Sequence, residues 1–195
     1  STSPSYITLQ SLDYLNIILS NDFYKKLNIT AKKVQNIKEV FALKGFTVLG
    51  QEPLKITVSP LALGYTGHDF AKYLRKNDIE CEFCDENFTT LMFSPCNKEN
   101  DFIKLKEILS VIPAKPAITV CSPEIPKLKT ELSVRDATFS QSEKIPVQNA
   151  VGKILSHYRL SCPPAIPIAV PGELITKEAI KCFIYYGIKE IYTVK

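Results

Sequence analysis

Between Leu132 and Ile188 the chain reads LSVRDATFSQSEKIPVQNAVGKILSHYRLSCPPAIPIAVPGELITKEAIKCFIYYGI, and its punctuation decides how this part folds. Pro163, Pro164, Pro167 and Pro171 crowd into one short apolar stretch that ends in Gly172 and Glu173. Each proline fixes φ and restricts the residue before it, so the backbone has few alternatives. The apolar run Ile166–Val170 inside that stretch predicts a short buried strand bracketed by prolines. Upstream, Ala150, Val151, Ile154 and Leu155 predict a helix over Val147–His157. Downstream, Thr176 is placed to cap a helix that runs through Tyr186 and stops at Gly187, and Ile191–Val194 reads as a last strand. Ser133–Phe139 reads as extended. Neighbours on a strand face opposite ways, so Arg135 and Asp136 would each have a distinct partner rather than each other.

Towards the N-terminus, IPAKPAITVCSPEIPKLKTEL carries Pro113, Pro116, Pro123 and Pro126, which break helix and central strand alike. A linker over residues 113–130 follows. Before it, apolar spacing predicts a helix through Leu9, Leu12, Tyr14, Ile17 and Ile18, and a second over Thr30–Lys44 stopped by Gly45. Phe46–Leu49 and Lys55–Val58 read as strands, and Thr66 caps a helix carrying Phe70, Tyr73 and Leu74. Ile79–Phe83 and Phe88–Phe93 read as two more strands joined by a polar turn, and Asn97–Leu109 as a helix. Helix, strand, strand, helix, strand, strand, helix is a layered α/β or α+β pattern.

The 195 residues, 45% hydrophobic and 23% charged, are ordinary for a globular protein and sufficient for a core without covalent staples. A net charge of +4 from scattered lysines, with no dense basic run and no interleaved aromatics, argues against a nucleic-acid partner. No apolar run is long enough to span a bilayer, and no signal peptide opens the sequence, so a cytoplasmic location is expected. There the six cysteines stay reduced, as buried or incidental thiols. The chain opens STSPSY without an initiator methionine, which suggests a piece of a longer protein.

Most motifs yield to plain explanations. Cys81 and Cys84 have CxxC spacing, but on a strand their thiols would diverge, and no second metal-ligand pair follows, so no metal is expected. His68 reads as an exposed residue at a helix start, and His157 as one that ends an apolar helix. Gly64-Tyr-Thr-Gly67 matches neither phosphate-binding fingerprint. Glu173 is different, because the rigid segment before it suits a side chain held at a site. An acid just before a helix is also favoured by the dipole alone, and the residues themselves leave both readings open.

SVRDA, IPVQNAVGKI, CPPAIPIAVPGE and YYGI occur in order from Ser133 to Ile188, and together they resemble the C-terminal domain of the ornithine/lysine/arginine decarboxylase family. The opening STSPSYITLQSLDYL resembles the segment that shortly follows the family's cofactor-binding lysine, while residues 30–130 agree only in order and length. The resemblance implies an α/β to α+β architecture. Residues 1–112 would be the small domain of an aminotransferase-like, fold type I pyridoxal-phosphate enzyme with its leading helix. The linker follows, then a smaller α+β C-terminal domain at 131–195.

It also implies a cofactor, pyridoxal 5′-phosphate, held as a Schiff base by a lysine in a Ser-x-His-Lys context that this chain lacks. The catalytic lysine would then lie upstream, in an N-terminal cofactor-binding half, and this chain alone would be inactive. What it would supply is the rest of a site shared across a homodimer. Thr2 and Ser3 would face a partner subunit's cofactor phosphate. Glu173, with Asp136 in reserve, would recognise the distal cation of arginine, lysine or ornithine. A non-catalytic paralogue or dimerisation module keeping the same fold is the competing expectation. An aminotransferase is disfavoured, because no late arginine motif for a substrate α-carboxylate is present.

Overall fold

A computed structural model describes residues 3–119, 122–158 and 167–195. The chain divides into two compact units, Ser1–Thr119 and Val120–Lys195.

The first unit opens with α1 (Tyr6–Ser20) and α2 (Phe23–Leu43). On α2 the buried residues are Thr30, Val34, Ile37, Lys38 and Phe41, the spacing of one helical face. That face meets an antiparallel sheet of β1 (Thr47–Leu49), β2 (Lys55–Ser59), β3 (Phe83–Cys84) and β4 (Thr89–Met92), in the order β1-β2-β4-β3. Two more helices, α3 (Gly67–Arg75) and α4 (Glu99–Val111), complete the layer. Phe41, Phe46 and Phe70 form an aromatic knot at its centre, with ring centroids 4.9–6.2 Å apart. Each ring so buried contributes roughly 1.5–3 kcal/mol.

Helix α1 is the exception to this economy. It is strongly apolar, yet none of its residues is buried, and Tyr6, Ile7, Leu12, Tyr14 and Ile17 are all exposed. Among the described residues no helix is long and apolar enough to cross a membrane.

The second unit is built on three antiparallel strands in the order β5-β7-β6: β5 (Ser142–Pro146), β6 (Leu155–His157) and β7 (Glu190–Val194). Two short segments extend this sheet beyond β6. Leu174 bridges Ile154, and Thr130 bridges Glu173. Helices α5 (Val134–Phe139) and α6 (Lys177–Tyr185) supply the rest, and Ala179, Ile180, Cys182 and Phe183 of α6 pack into a core with Val147, Leu155, Ile175 and Ile191. Both sheets are antiparallel, so each described unit is α+β and the α/β alternative falls away.

Several local expectations are corrected. Val147–His157 is not a helix. A single 3-10 turn at Val147–Asn149 gives way to Gly152 at φ +77° and then to β6, where Leu155 pairs with Thr193 of β7 and is fully buried, so tertiary pairing overrides the local helical pattern. Pro167–Val170 is irregular rather than a strand, since its flanking prolines deny it a ladder; Ile166 lies outside the described residues. Ser133–Phe139 is helical and not extended. β5 went unread, the strand predicted at Ile79–Phe83 is only Phe83–Cys84, and α2 begins a full two turns before Thr30.

Part of the Pro-rich stretch is bound to the first unit. The Lys115 N–H donates to the Leu63 carbonyl (3.1 Å) and the Ile118 N–H to that of Leu61 (2.9 Å). The Tyr65 hydroxyl donates to the Pro113 carbonyl (2.8 Å), and the Lys115 ammonium lies 4.0 Å over the Tyr65 ring. Gly64, at φ +76°, permits the approach, because a Cβ there would strike Lys115 and Pro116. Limited digestion with a protease of broad specificity should therefore spare residues 113–118 and cut first between 122 and 128. Mass spectrometry of the first fragments checks this, and an initial cut within 113–118 would contradict it.

Candidate functional site

Glu173 sits where three stretches of the second unit are stitched side by side. The Gly172 N–H donates to the Leu155 carbonyl (2.8 Å) and the Leu155 N–H donates to the Glu173 carbonyl (2.9 Å), which joins the turn to β6. On its other side the Gly172 carbonyl accepts from both Glu131 (2.9 Å) and Leu132 (3.1 Å), and the Leu174 N–H donates to the Lys129 carbonyl (2.9 Å). Gly172 has φ +94°, and any Cβ there would collide with the Leu132 carbonyl oxygen. Only glycine satisfies both the turn and the close approach.

The side chain of Glu173 is held as firmly as its backbone. Its Oε2 accepts the Val170 N–H at 2.8 Å, and its own N–H returns to the Val170 carbonyl at 3.2 Å. One carboxylate oxygen is thus committed to the loop, and the group is half-buried. Tyr158 closes the neighbourhood. Its hydroxyl accepts the Ile168 N–H at 2.9 Å, and its ring stands edge-on to Phe183 at 5.1 Å. Burial pushes the Tyr158 hydroxyl above its usual range. The backbone N–H groups of Ile168 and Ala169 oppose that shift and the nearby Glu173 charge adds to it.

Asp136 lies directly beyond the same junction, in the first turn of α5. Ser133 caps that helix: its Oγ accepts the Asp136 N–H (3.0 Å) and donates to Asp136 Oδ2 (2.7 Å). A serine three residues ahead of an acid is the spacing of a helix N-cap, the signal that identifies this segment as helical. Asp136 is exposed and is engaged with its own cap, while Arg135 lies 5.9 Å from the Phe139 ring. The structure therefore brings the SVRDA and PGE segments into contact through Gly172. Tyr158 escaped the sequence reading because a lone tyrosine before a proline run carries no pattern.

The cofactor-facing candidates are elsewhere. Thr2 lies outside the described residues. Ser3 is exposed just ahead of α1, in the first unit. His157 is in β6 rather than at a helix end, and stacks on Tyr192 with ring centroids 4.1 Å apart. Among the described residues no group of three or more His, Cys, Asp or Glu side chains converges to hold a metal.

Residues 99–190 match the family model for the Orn/Lys/Arg decarboxylase C-terminal domain. Arginine decarboxylase of Bacillus subtilis (strain 168) is 33% identical over 202 residues, covering 92% of this chain and 41% of the relative. That of Bacillus anthracis is 35% identical, covering 93% and 41%. Over these residues the chain is similar to the C-terminal domain of the ornithine/lysine/arginine decarboxylases. It spans about two fifths of the length of these curated relatives. The constitutive lysine decarboxylase of E. coli shares the fold at 13% identity with a TM-score of 0.71, covering 100% of this chain and 44% of that one. Lysine decarboxylase A from Pseudomonas aeruginosa does so at 11% identity and a TM-score of 0.62, covering 88% and 39%. The segment that matches the decarboxylase family model contains both Asp136 and Glu173.

Two glycines of the matched segment separate backbone strain from collision. Gly152 (φ +77°) would meet nothing within 4 Å if given a Cβ, whereas Gly172 would meet the Leu132 carbonyl. Strain alone at a positive φ costs about 1–3 kcal/mol. Gly172→Ala should therefore lower stability by at least about 1 kcal/mol more than Gly152→Ala, because only it adds a backbone overlap. Denaturant unfolding followed by circular dichroism measures both, and equal losses would show that the junction yields easily.

Proposed function

We propose that this chain is the C-terminal part of a pyridoxal-phosphate-dependent decarboxylase of basic amino acids, acting on arginine, lysine or ornithine, with Glu173 facing the substrate's distal cation. The observation that carries this reading is the pinned carboxylate. Within a segment matching the family model, a half-buried Glu173 has one oxygen fixed by the Val170 N–H, so the second is held in a defined direction without further ordering. The expected substrates differ from neutral amino acids by a distal ammonium or guanidinium, so an oriented carboxylate is the chemistry that selects them. Asp136, on the adjoining helix start, is the reserve candidate.

Pyridoxal phosphate does not fit the described residues alone. Lys38 is the buried lysine among them, and its ammonium is engaged with the Glu52 carbonyl at 2.7 Å. Ser3 is exposed ahead of α1. In this reading the cofactor lysine belongs to an N-terminal half of the same protein. Thr2 and Ser3 approach the phosphate held by a second subunit of a cytoplasmic homodimer. Helix α1 supports a larger assembly, since an apolar helix with no buried residue is a costly surface to leave in water.

Two outcomes test this. The chain by itself, mixed with pyridoxal phosphate and reduced with borohydride, should yield no single specific phosphopyridoxyl-lysine by mass spectrometry; one such product would overturn the placement of the cofactor. In the intact enzyme, Glu173→Gln should lower kcat/KM for the basic amino acid while leaving the cofactor absorbance unchanged. Glutamine keeps one acceptor for Val170, while the second oxygen becomes an amide NH2 and the charge is lost. A charge-assisted hydrogen bond is worth about 1.5–3 kcal/mol, so the loss should be roughly tenfold to a hundredfold. A silent Glu173→Gln beside a crippled Asp136→Asn would move the role to Asp136. Silence in both would remove the distal recognition from this unit.

A further inference from the structure

Two features of the first unit that carry little meaning apart are brought together by the fold. His68 lies in the first turn of α3 and Cys84 in β3, and the Cys84 Sγ is 3.4 Å from His68 Nδ1. Gly67 makes the meeting possible. Its N–H donates to the Glu86 carbonyl (3.0 Å), and its carbonyl accepts the Thr89 hydroxyl (2.8 Å). A Cβ on Gly67 would strike the carbonyls of Asp85 and Phe88. The β3–β4 turn is thereby seated on the helix start, with Asp85 closing the turn by accepting the N–H groups of Asn87 (2.8 Å) and Phe88 (2.7 Å). His68 and Cys84 share a cleft of about 400 Å³, which Thr66, Lys72, Arg75 and Glu86 also line. His68 is exposed and Cys84 half-buried, so the pair is reachable from solvent.

The other described thiols lack this arrangement. Cys81 is pushed up to about 12, by burial first and then by the neighbouring Cys84 and Glu80. Cys182 is buried and donates to the Glu124 carbonyl (3.2 Å). Cys96 is exposed in the turn before α4. Burial also raises the Cys84 thiol, Arg75 draws it down, and Asp85 and Glu80 push it up. A thiol held protonated needs a base in the reacting step itself, and an imidazole nitrogen within contact of the sulfur is such a base.

We propose that Cys84, with His68 as its base, is a covalent modification site that exchanges with small-molecule disulfides. The Cys84 sulfur attacks one sulfur of the disulfide. A new Sγ–S bond forms, and the original S–S bond breaks with its electron pair leaving on the second sulfur. The Cys84 proton passes to His68 Nδ1, in the tautomer with its other proton on Nε2, and then to the departing thiolate. One disulfide replaces another, so no further oxidant is required. The step uses none of Thr2, Ser3, Asp136 and Glu173, the residues proposed above to face cofactor and substrate.

The test is exposure of the full chain to oxidised glutathione at neutral pH, with adducts assigned to individual cysteines by fragment-ion mass spectrometry. Cys84 should acquire the adduct faster than Cys96. His68→Gln should slow the reaction at Cys84 about tenfold and leave the rate at Cys96 unchanged, and Cys84→Ser should remove the fast phase. Equal rates at Cys84 with and without His68, or labelling of Cys96 with none at Cys84, would overturn the proposal. A parallel slowing at both cysteines in His68→Gln would also overturn it, by showing a general change in the fold rather than a local base.

Discussion

The second unit depends on one close approach, that of Gly172 to the Leu132 carbonyl. Through it, residues 129–132 attach to the PGE turn, the turn attaches to β6, and β6 attaches to β7. A sheet of three named strands is thereby extended on one side by two segments too short to be strands themselves. The prolines matter because they leave this turn few alternative conformations, so the entropy lost on forming the junction is small. The carboxylate of Glu173 inherits that rigidity through its bond to Val170.

The same arithmetic explains why Glu173 and Asp136 are unequal candidates. Both are capped by local hydrogen bonds, but the partners differ. Asp136 bonds the serine that starts its own helix, in water, which is an ordinary reason for an acid to be there. Glu173 bonds a loop N–H in a half-buried turn beside Tyr158, where a charge is expensive unless it has a task or further partners. That asymmetry makes Glu173 the more firmly held carboxylate of the two, without appeal to the relatives, whose names speak for much longer chains.

Long amphipathic helices were legible in the sequence. The Val34, Ile37 and Phe41 stripe, the Thr66 cap and the Thr176 cap all stand where their spacing puts them. The errors cluster where tertiary pairing outweighs local pattern. Ala150 and Leu155 are buried as expected, yet Gly152 turns the chain between them and β7 claims the second as a strand residue. The Ser133–Asp136 cap was present in the sequence and overlooked in favour of a strand. The meeting of His68 with Cys84 had no sequence signal, because a helix start and a strand sixteen residues away are joined only by the seat at Gly67. For the site, the PGE and SVRDA segments were legible as motifs, whereas their contact through a glycine was not.

Native-state hydrogen exchange at the amides of Glu131 and Leu132 reads the central junction directly, since both donate to the Gly172 carbonyl. If the junction is an integral part of the second unit, these two amides and that of Leu155, which bonds the Glu173 carbonyl, are protected to the same opening free energy as Val194, whose bond to the Ile154 carbonyl lies deeper in the sheet. Exchange of Glu131, Leu132 and Leu155 at the rate of exposed chain, with Val194 still protected, would show that the PGE turn is not held by the sheet, and the aimed carboxylate would lose its physical basis.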